Sequence, residues 1–246
     1  MSDDRIFGIH AVRRRLLEAP GDCLALNCQQ NSNPRLLELV EIAAREGIET
    51  RFLNREQLFQ LCNSRKHQGC VLEIRDNSPT LNFDDCVEAI HNGTLLLVLD
   101  GVQDPHNLGA CLRSADACGV DAVIIPRDRS VKVNATVRKV AAGGAETVPV
   151  IEVTNLVRAL EALKQKGVWV YGSSGDASES LYEHDFRGPV ALVMGAEGSG
   201  LRRLTSDACD HLVKLPMRGR VESLNVSVAT GVCLYQILRA RELCKD

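Results

Sequence analysis

Residues 94–116, TLLLVLDGVQDPHNLGACLRSAD, decide how the chain is read. An unbroken apolar run over Leu95–Leu99 ends in Asp100-Gly101. Apolar runs without alternation suit a parallel strand covered on both faces. Asp104-Pro105 then marks a turn, and apolar residues recur at helical spacing from Leu108. Asn107 is placed to cap that helix. Strand, loop and helix in this order are the unit from which open α/β sheets are built.

The same alternation continues to the C-terminus. DAVIIP, TVPVI, VWVYGS, PVALVMG and HLVKLP read as strands. Helices are expected near 108–118, 133–142, 155–166 and 201–208, with a last one over about 224–243. In that last helix Val228, Val232, Tyr235 and Leu238 predict a buried stripe. Upstream, residues 1–75 read as a smaller α/β unit. It holds a helix from about His10 to Glu18, a strand at CLALNC, a helix at PRLLELVEIAAREG, a strand at IETRFL, a helix at REQLFQLC and a strand at GCVLEI. In the second of these helices Leu36, Leu37, Val40 and Ala43 or Ala44 recur at helical spacing. Residues 76–93, DNSPTLNFDDCVEAIHNG, break the rhythm. The turn residues Asp76, Asn77, Ser78 and Pro79 open a linker there, with room for a short helix. The expected organisation is therefore 1–75, a linker at 76–93, and a larger α/β domain over 94–246.

Composition narrows the function classes. The 246 residues are 45% apolar and 25% charged, as in ordinary globular proteins. No stretch approaches the ~20 apolar residues that cross a bilayer. The first residues, acidic and then basic with no apolar core, do not read as a signal peptide. The expectation is a cytoplasmic protein with no membrane partner. The ten cysteines include no CxxC pair and no zinc-finger spacing. They read as small buried thiols in a reducing compartment. His184 and His211 stand alone in the sequence, so no metal is expected. The net charge of -3 does not advertise nucleic acid, and residues 76–93 carry acids without a base. An anionic substrate must meet cations placed locally.

Ligand sites in open α/β sheets gather beyond the carboxyl ends of the strands. Three loops there are unusual. In the first, Arg113 either points back toward the loop or is a surface arginine, and His106 reads as a plain loop residue. The second, VMGAEGSGLRRL, has Gly195, Gly198 and Gly200 for tight turns and close backbone approach. It lacks the Lys-Ser/Thr of a P-loop, and its glycines are not spaced as in a dinucleotide fingerprint. Glu197 repels phosphate but accepts from hydroxyls, amines or an arginine; otherwise it is a solvated turn residue. An NAD-dependent oxidoreductase is therefore disfavoured. In the third, KLPMRGRVESLNVSVATG, Arg218 and Arg220 precede Ser223, Asn225 and Ser227. Ser223 or Asn225 can cap the last helix, but three polar residues exceed what capping needs. Together the loops suit a ribose and a phosphate.

Taken together, these segments resemble the three motifs of the SpoU/TrmH family of RNA ribose 2′-O-methyltransferases, in the SPOUT class. DPHNLGACLRSAD matches with Asn107, Gly109 and Arg113. LVMGAEGSGLRRL matches with Gly195, Glu197, Gly198 and Gly200. LPMRGRVESLNVSVATG matches with Pro216, Met217, Ser223, Leu224, Asn225 and Ser227. The N-terminal part resembles the family's small L30e-like RNA-binding domain, GIHAV at 8–12 matching its opening. The resemblance implies a SPOUT-type α/β domain with a C-terminal trefoil knot, a topology that patterning never suggests. It implies S-adenosylmethionine (S-adenosyl-L-methionine) as cofactor, with Gly195, Leu215 and Leu224 lining its pocket. It implies catalytic roles for Asn107, Arg113, Glu197, Ser223 and Asn225, Glu197 holding Arg113 or a substrate hydroxyl. It implies a homodimer. RNA contacts are expected from His10, Arg14, Arg65, Lys66, Arg218 and Arg220, with Arg13, Arg15 and His67 beside them. Whole-chain likeness implies a guanosine of 23S rRNA as target, free or in a large-subunit assembly intermediate. The alternatives are the same transfer on tRNA, or a non-catalytic RNA-binding protein of ribosome assembly.

Overall fold

The computed structural model describes residues 4–30, 33–75, 81–198 and 200–243. The chain divides into two units, Met1–Asn77 and Ser78–Asp246. The turn expected at Asp76–Pro79 lies outside the described residues.

In the first unit β1 (Asp4–Phe7), α1 (Ile9–Glu18), β2 (Cys23–Cys28), α2 (Pro34–Arg45), β3 (Glu49–Phe52), α3 (Arg55–Cys62) and β4 (Cys70–Ile74) follow one another. The sheet order is β1-β4-β2-β3. Only β2 and β3 run parallel. Helix starts are set by side chains. Asn33 accepts from the Arg35 amide, and Asn54 forms a reciprocal box with Gln57. Val12 and Leu16 of α1 and Leu36 and Leu39 of α2 close over Leu26 and Leu72 of the sheet. The stripe expected on α2 needs one correction. Leu37 is exposed, and the inward residues are Leu36, Leu39, Ile42 and Ala43. The strand β1 had no signal of its own, because its four residues are ordered by distant β4.

The second unit opens with α4 (Phe83–Glu88), within the stretch read as linker. Asn82 caps this helix, and Cys86 is buried in the core of the larger sheet. There follow β5 (Leu95–Asp100), α5 (Pro105–Ala117), β6 (Ala122–Pro126), α6 (Ala135–Ala141), α7 (Gly144–Thr147), β7 (Val150–Val153), α8 (Leu156–Gln165), β8 (Trp169–Ser173), β9 (Glu179–Ser180), β10 (Val190–Gly195), α9 (Arg203–Asp207), β11 (His211–Lys214) and α10 (Val226–Leu243). All seven strands are parallel, in the order β7-β6-β5-β10-β8-β11-β9. The chain winds outward from β5 to β7 on one side. It then returns to place β8 and everything after it on the other. The switch falls between β5 and β10, where Gly195 pairs with Asp100. Side chains of β5, β6, β8 and β10 alternate between two cores, one on each face. That explains the unbroken apolar runs.

Helix α10 corrects a second stripe. Its buried residues are Val226, Thr230, Cys233, Leu234, Ile237 and Ala240. Val228, Val232 and Tyr235, expected inside, are 52%, 38% and 55% exposed. The helix is apolar on two adjoining faces, so sequence periodicity could not choose between them. Its far end is anchored by Arg241, whose guanidinium donates to the carbonyls of Gly93, Thr94, Phe186 and Gly188.

The nine described cysteines are free thiols. Burial pushes the Cys70, Cys209 and Cys233 thiols up to about 12, which makes them inert packing groups. Among the described residues no helix is long and apolar enough to cross a membrane.

Gly109 lets α5 lie against α6. A Cβ there would stand 2.7 Å from the Val137 carbonyl oxygen and 2.7 Å from the Val140 Cβ. Gly109→Ala should therefore lower stability by about 1–3 kcal/mol despite alanine's better helix propensity. Urea unfolding checks this; a midpoint at or above the wild-type value would contradict the close packing.

Candidate active site at the strand carboxyl ends

The carboxyl ends of β5, β8, β10 and β11 meet at the switch point, where open α/β sheets place ligands. Asp100 closes β5 with its side chain wholly buried. It accepts from the Arg202 backbone amide (3.0 Å) and from Arg202 Nε (2.6 Å). The arginine thus neutralises a carboxylate that burial would otherwise penalise. The bond also ties the far end of the 195–202 loop to the start of the 100–105 loop.

Between those anchors the second loop is pinched shut. Ala196 and Gly200 exchange both backbone hydrogen bonds (3.1 and 3.0 Å). Gly198 and Gly200 take φ of +79° and +65°, values that favour glycine. A Cβ on Gly195 would collide with the Gly200 carbonyl. The tight loop carries Glu197 outward at its tip.

The first helix starts earlier than the sequence suggested. Asp104 accepts from the His106 amide and Pro105 occupies the first helical position, so Asp104 is the cap. Asn107, expected as the cap, sits in the first turn with its amide free for other partners. It is 8% exposed. Its Nδ2 donates to Glu197 Oε2 (3.2 Å), and its Oδ1 accepts from Asn225 Nδ2 (3.0 Å). Asn225 Nδ2 also reaches Glu197 Oε1 (3.5 Å). The other end of Asn225 caps α10, Oδ1 accepting from the Ser227 amide (2.9 Å) and the Ser227 hydroxyl (2.6 Å). One chain of amide contacts therefore fixes all three loops.

Beside it opens a cavity of about 990 Å³. Its wall includes Gly195, Leu215 and Leu224, the three residues expected at the cofactor, together with Glu197, Ser223 and Arg218. Asn107, Arg113, Asn225 and Arg220 are outside that lining. Arg113 lies exposed on α5 and makes no hydrogen bond or ion pair among the described residues. Glu197 holds Asn107 and Asn225, not Arg113. The sequence reading missed Asp100 and Arg202. It also missed the β8 loop, whose Ser173, Ser174 and Asp176 form another wall. That loop, SSGDAS, had the same signal as the other three: a polar glycine loop directly after a parallel strand.

The N-terminal candidates belong to the other unit. The Ile9 amide donates to Gln68 Oε1 (2.9 Å), drawing the 63–69 loop against the start of α1. His10, Arg14, Arg65 and Lys66 are all exposed there. Arg14 pairs loosely with Glu18 (3.6 Å), and Arg65 lies over the Phe59 ring. Arg13 and Arg15 are held by Glu38 and Asp22. His67 is corrected outright. It is 3% exposed, its Nδ1 accepts from the Gly69 amide, and desolvation lowers its pKa. It shapes the loop and is not placed to touch RNA.

Comparison with known proteins adds the family. Residues 94–235 match the SpoU rRNA Methylase family, and residues 5–80 match the RNA 2′-O ribose methyltransferase substrate-binding family. The 23S rRNA (guanosine-2′-O-)-methyltransferase RlmB of Ralstonia nicotianae is 50% identical over 239 residues, covering 97% of this chain and 96% of that protein. Its Pseudomonas aeruginosa counterpart is 49% identical over 244 residues, covering 97% of each. Among solved structures, the SpoU methyltransferase AviRb of Streptomyces viridochromogenes in complex with AdoMet superposes with a TM-score of 0.70. It is 20% identical and covers 98% of this chain and 91% of that one, a likeness of fold.

The Asp100–Arg202 pair gives a stability test. Arg202→Ala should cost about 1–3 kcal/mol, below the ~3–5 typical of stripping one partner from a fully buried pair, because the guanidinium is half in solvent. Chemical denaturation reads the loss; unchanged stability would mean that the carboxylate is satisfied without the arginine.

Proposed function

This chain belongs to the SpoU rRNA methylase family, and we propose that it transfers a methyl group from S-adenosylmethionine to the ribose 2′-hydroxyl of a guanosine in 23S rRNA. The observation that carries this reading is the cavity at the switch point, walled by the glycine hairpin whose Glu197 is held from behind by Asn107 and Asn225. The cavity fits the cofactor. At about 990 Å³ it is at the upper end of small-molecule sites. Leu215, Met217 and Leu224 offer apolar surface for a base and thioether carbons, and Met217 and Leu224 are 36% and 38% exposed into solvent. Asp176, Glu197 and Glu222 offer carboxylates for ribose hydroxyls and an ammonium; Arg203 and Arg218 offer cations for a carboxylate. Gly195 leaves room where any side chain would block the loop.

When bound, S-adenosylmethionine supplies an electrophilic methyl group. The residues of this chain must then align the 2′-oxygen, support charge on it and exclude water. Arg113 cannot take the hydroxyl proton, because a guanidinium that already carries its proton is no base. Its uncommitted charge instead stabilises the developing oxyanion or holds the neighbouring phosphate. Glu197, Ser223, Asn107 and Asn225 position the ribose and keep the loop tip in place. Arg218 and Arg220 meet phosphates beside the cavity, and His10, Arg14, Arg65 and Lys66 meet RNA on the smaller unit. Such contacts position RNA without reading its sequence.

Three further parts of the reading rest on the family. The division into an L30e-like substrate domain at 1–75, a linker at 76–93 and a methyltransferase domain at 94–246 is supported by family matches over 5–80 and 94–235. The C-terminal knot is supported by the return of α10 over α5 and β10 after β11 has been laid at the far side of the sheet. The homodimer is supported by Val228, Val232 and Tyr235, an exposed apolar row running from the capped end of α10. The proposed compartment is the cytoplasm, where free thiols persist.

The test is methyl transfer from labelled S-adenosylmethionine to 23S rRNA lacking this modification, with tRNA and 16S rRNA alongside and the product nucleoside identified by mass spectrometry. The expected product is 2′-O-methylguanosine in 23S rRNA alone. Label in tRNA would replace the substrate, and no cofactor binding would overturn the enzyme reading. Arg113→Ala should cut turnover by roughly 10²-fold and leave cofactor affinity nearly intact. Near-normal turnover would remove Arg113 from the mechanism.

A further inference from the structure

His184 and His211, isolated in the sequence, meet in the fold around a single carboxylate. Glu179 is in the edge strand β9, His184 follows the short 3-10 turn Leu181–Glu183, and His211 opens β11. Glu179 Oε2 lies 3.1 Å from His184 Nε2 and 3.3 Å from His211 Nδ1. One ligand atom from each of the three falls within 4.8 Å of the others. We propose that Glu179, His184 and His211 form a binding site for a divalent transition-metal ion of the zinc class.

The donor chemistry fits. Two imidazoles and a carboxylate are a recurrent zinc set with a fourth position left to water. Bonds of about 2.0–2.1 Å in a tetrahedron put neighbouring donors about 3.3 Å apart. Two of the three edges here already have that length. The rings are held so that their nitrogens converge. His211 stacks on Tyr171 with centroids 5.1 Å apart and planes at 16°. His184 meets the same Tyr171 ring edge-on at 5.2 Å. Glu179 and His211 side chains are 47% and 32% exposed, which leaves an entry path.

Hydrogen bonding alone does not account for the cluster. His184 Nε2 is buried and has no hydrogen-bond partner, although the Glu179 oxygen is close. The oxygen therefore lies off the direction in which that ring nitrogen bonds. A buried polar atom without a partner is costly. A cation between the three groups would satisfy it and both faces of the carboxylate contact. The site would pin the 179–184 segment to β11, whose last residue Lys214 lines the large cavity together with the following Leu215. It is a strut for that wall and takes no part in methyl transfer.

The experiment titrates Zn²⁺ and Co²⁺ separately into the full-length, EDTA-treated protein. One equivalent of Zn²⁺ should bind and raise the melting temperature, since binding to the native state alone stabilises it. Bound Co²⁺ should give a visible spectrum without thiolate charge-transfer bands. Glu179→Gln and His211→Asn should each weaken Zn²⁺ binding at least ~10-fold, the lower end of effects seen even for residues behind the ligands. X-ray absorption of the zinc-loaded wild type, which needs no variant to fold, should show nitrogen and oxygen neighbours with no sulfur. Absence of stoichiometric binding, sulfur in the coordination shell, or affinity unchanged in both variants would each overturn the proposal.

Discussion

Three loops that are far apart in the chain depend on one line of amide hydrogen bonds. Asn225 donates to Asn107, and Asn107 donates to Glu197. Each amide also has a second duty or a protected setting. Asn225 caps the longest helix, so its orientation is fixed by the backbone it serves. Asn107 is nearly buried, so its two polar atoms must find partners. Glu197 is thereby held at the tip of its hairpin without a cation. Its carboxyl group lies on the cavity wall, where hydroxyl and amine groups of a ligand need acceptors.

This arrangement is possible because the sheet topology delivers the loops to one place. Inserting β10 between β5 and β8 brings Gly195 beside Asp100. The Asp100–Arg202 pair then holds the far end of the hairpin, strand pairing holds the near end, and Gly195 removes the side chain that would prise it open. Stability and site geometry are coupled at these positions: the buried carboxylate contributes little unless the arginine is present, and the arginine is also what sets the loop. The exposed apolar row on α10 begins at the Asn225 cap. In the proposed dimer, a partner covering that row would press on the same network.

The sequence carried much of this because the informative residues act locally. CLALNC, REQLFQLC and the six runs read as strands in the second unit became elements close to their expected bounds, and burial on both faces accounts for the unbroken pattern of the central strands. The polar loops were recognisable by position after those strands. What stayed hidden depended on distant partners. The strand β1 and two-residue β9 exist only through the strands they pair with. Asn107 looked like a helix cap until Asp104-Pro105 took that role. Tyr235 and Val228 looked buried because both faces of α10 are apolar. His184 and His211 lie 27 positions apart, and only the pairing of β9 with β11 brings them to Glu179.

In the proposed function the Asn107–Asn225 link shapes the cavity that takes the cofactor. A double-mutant cycle read by calorimetric titration of S-adenosylmethionine tests it most directly. Asn107→Ala and Asn225→Ala should each weaken binding by roughly tenfold, and the double variant should bind no more weakly than the worse single one, as for residues in one network. Fully additive losses would contradict the account, because they would mean that the two asparagines act on the cavity independently.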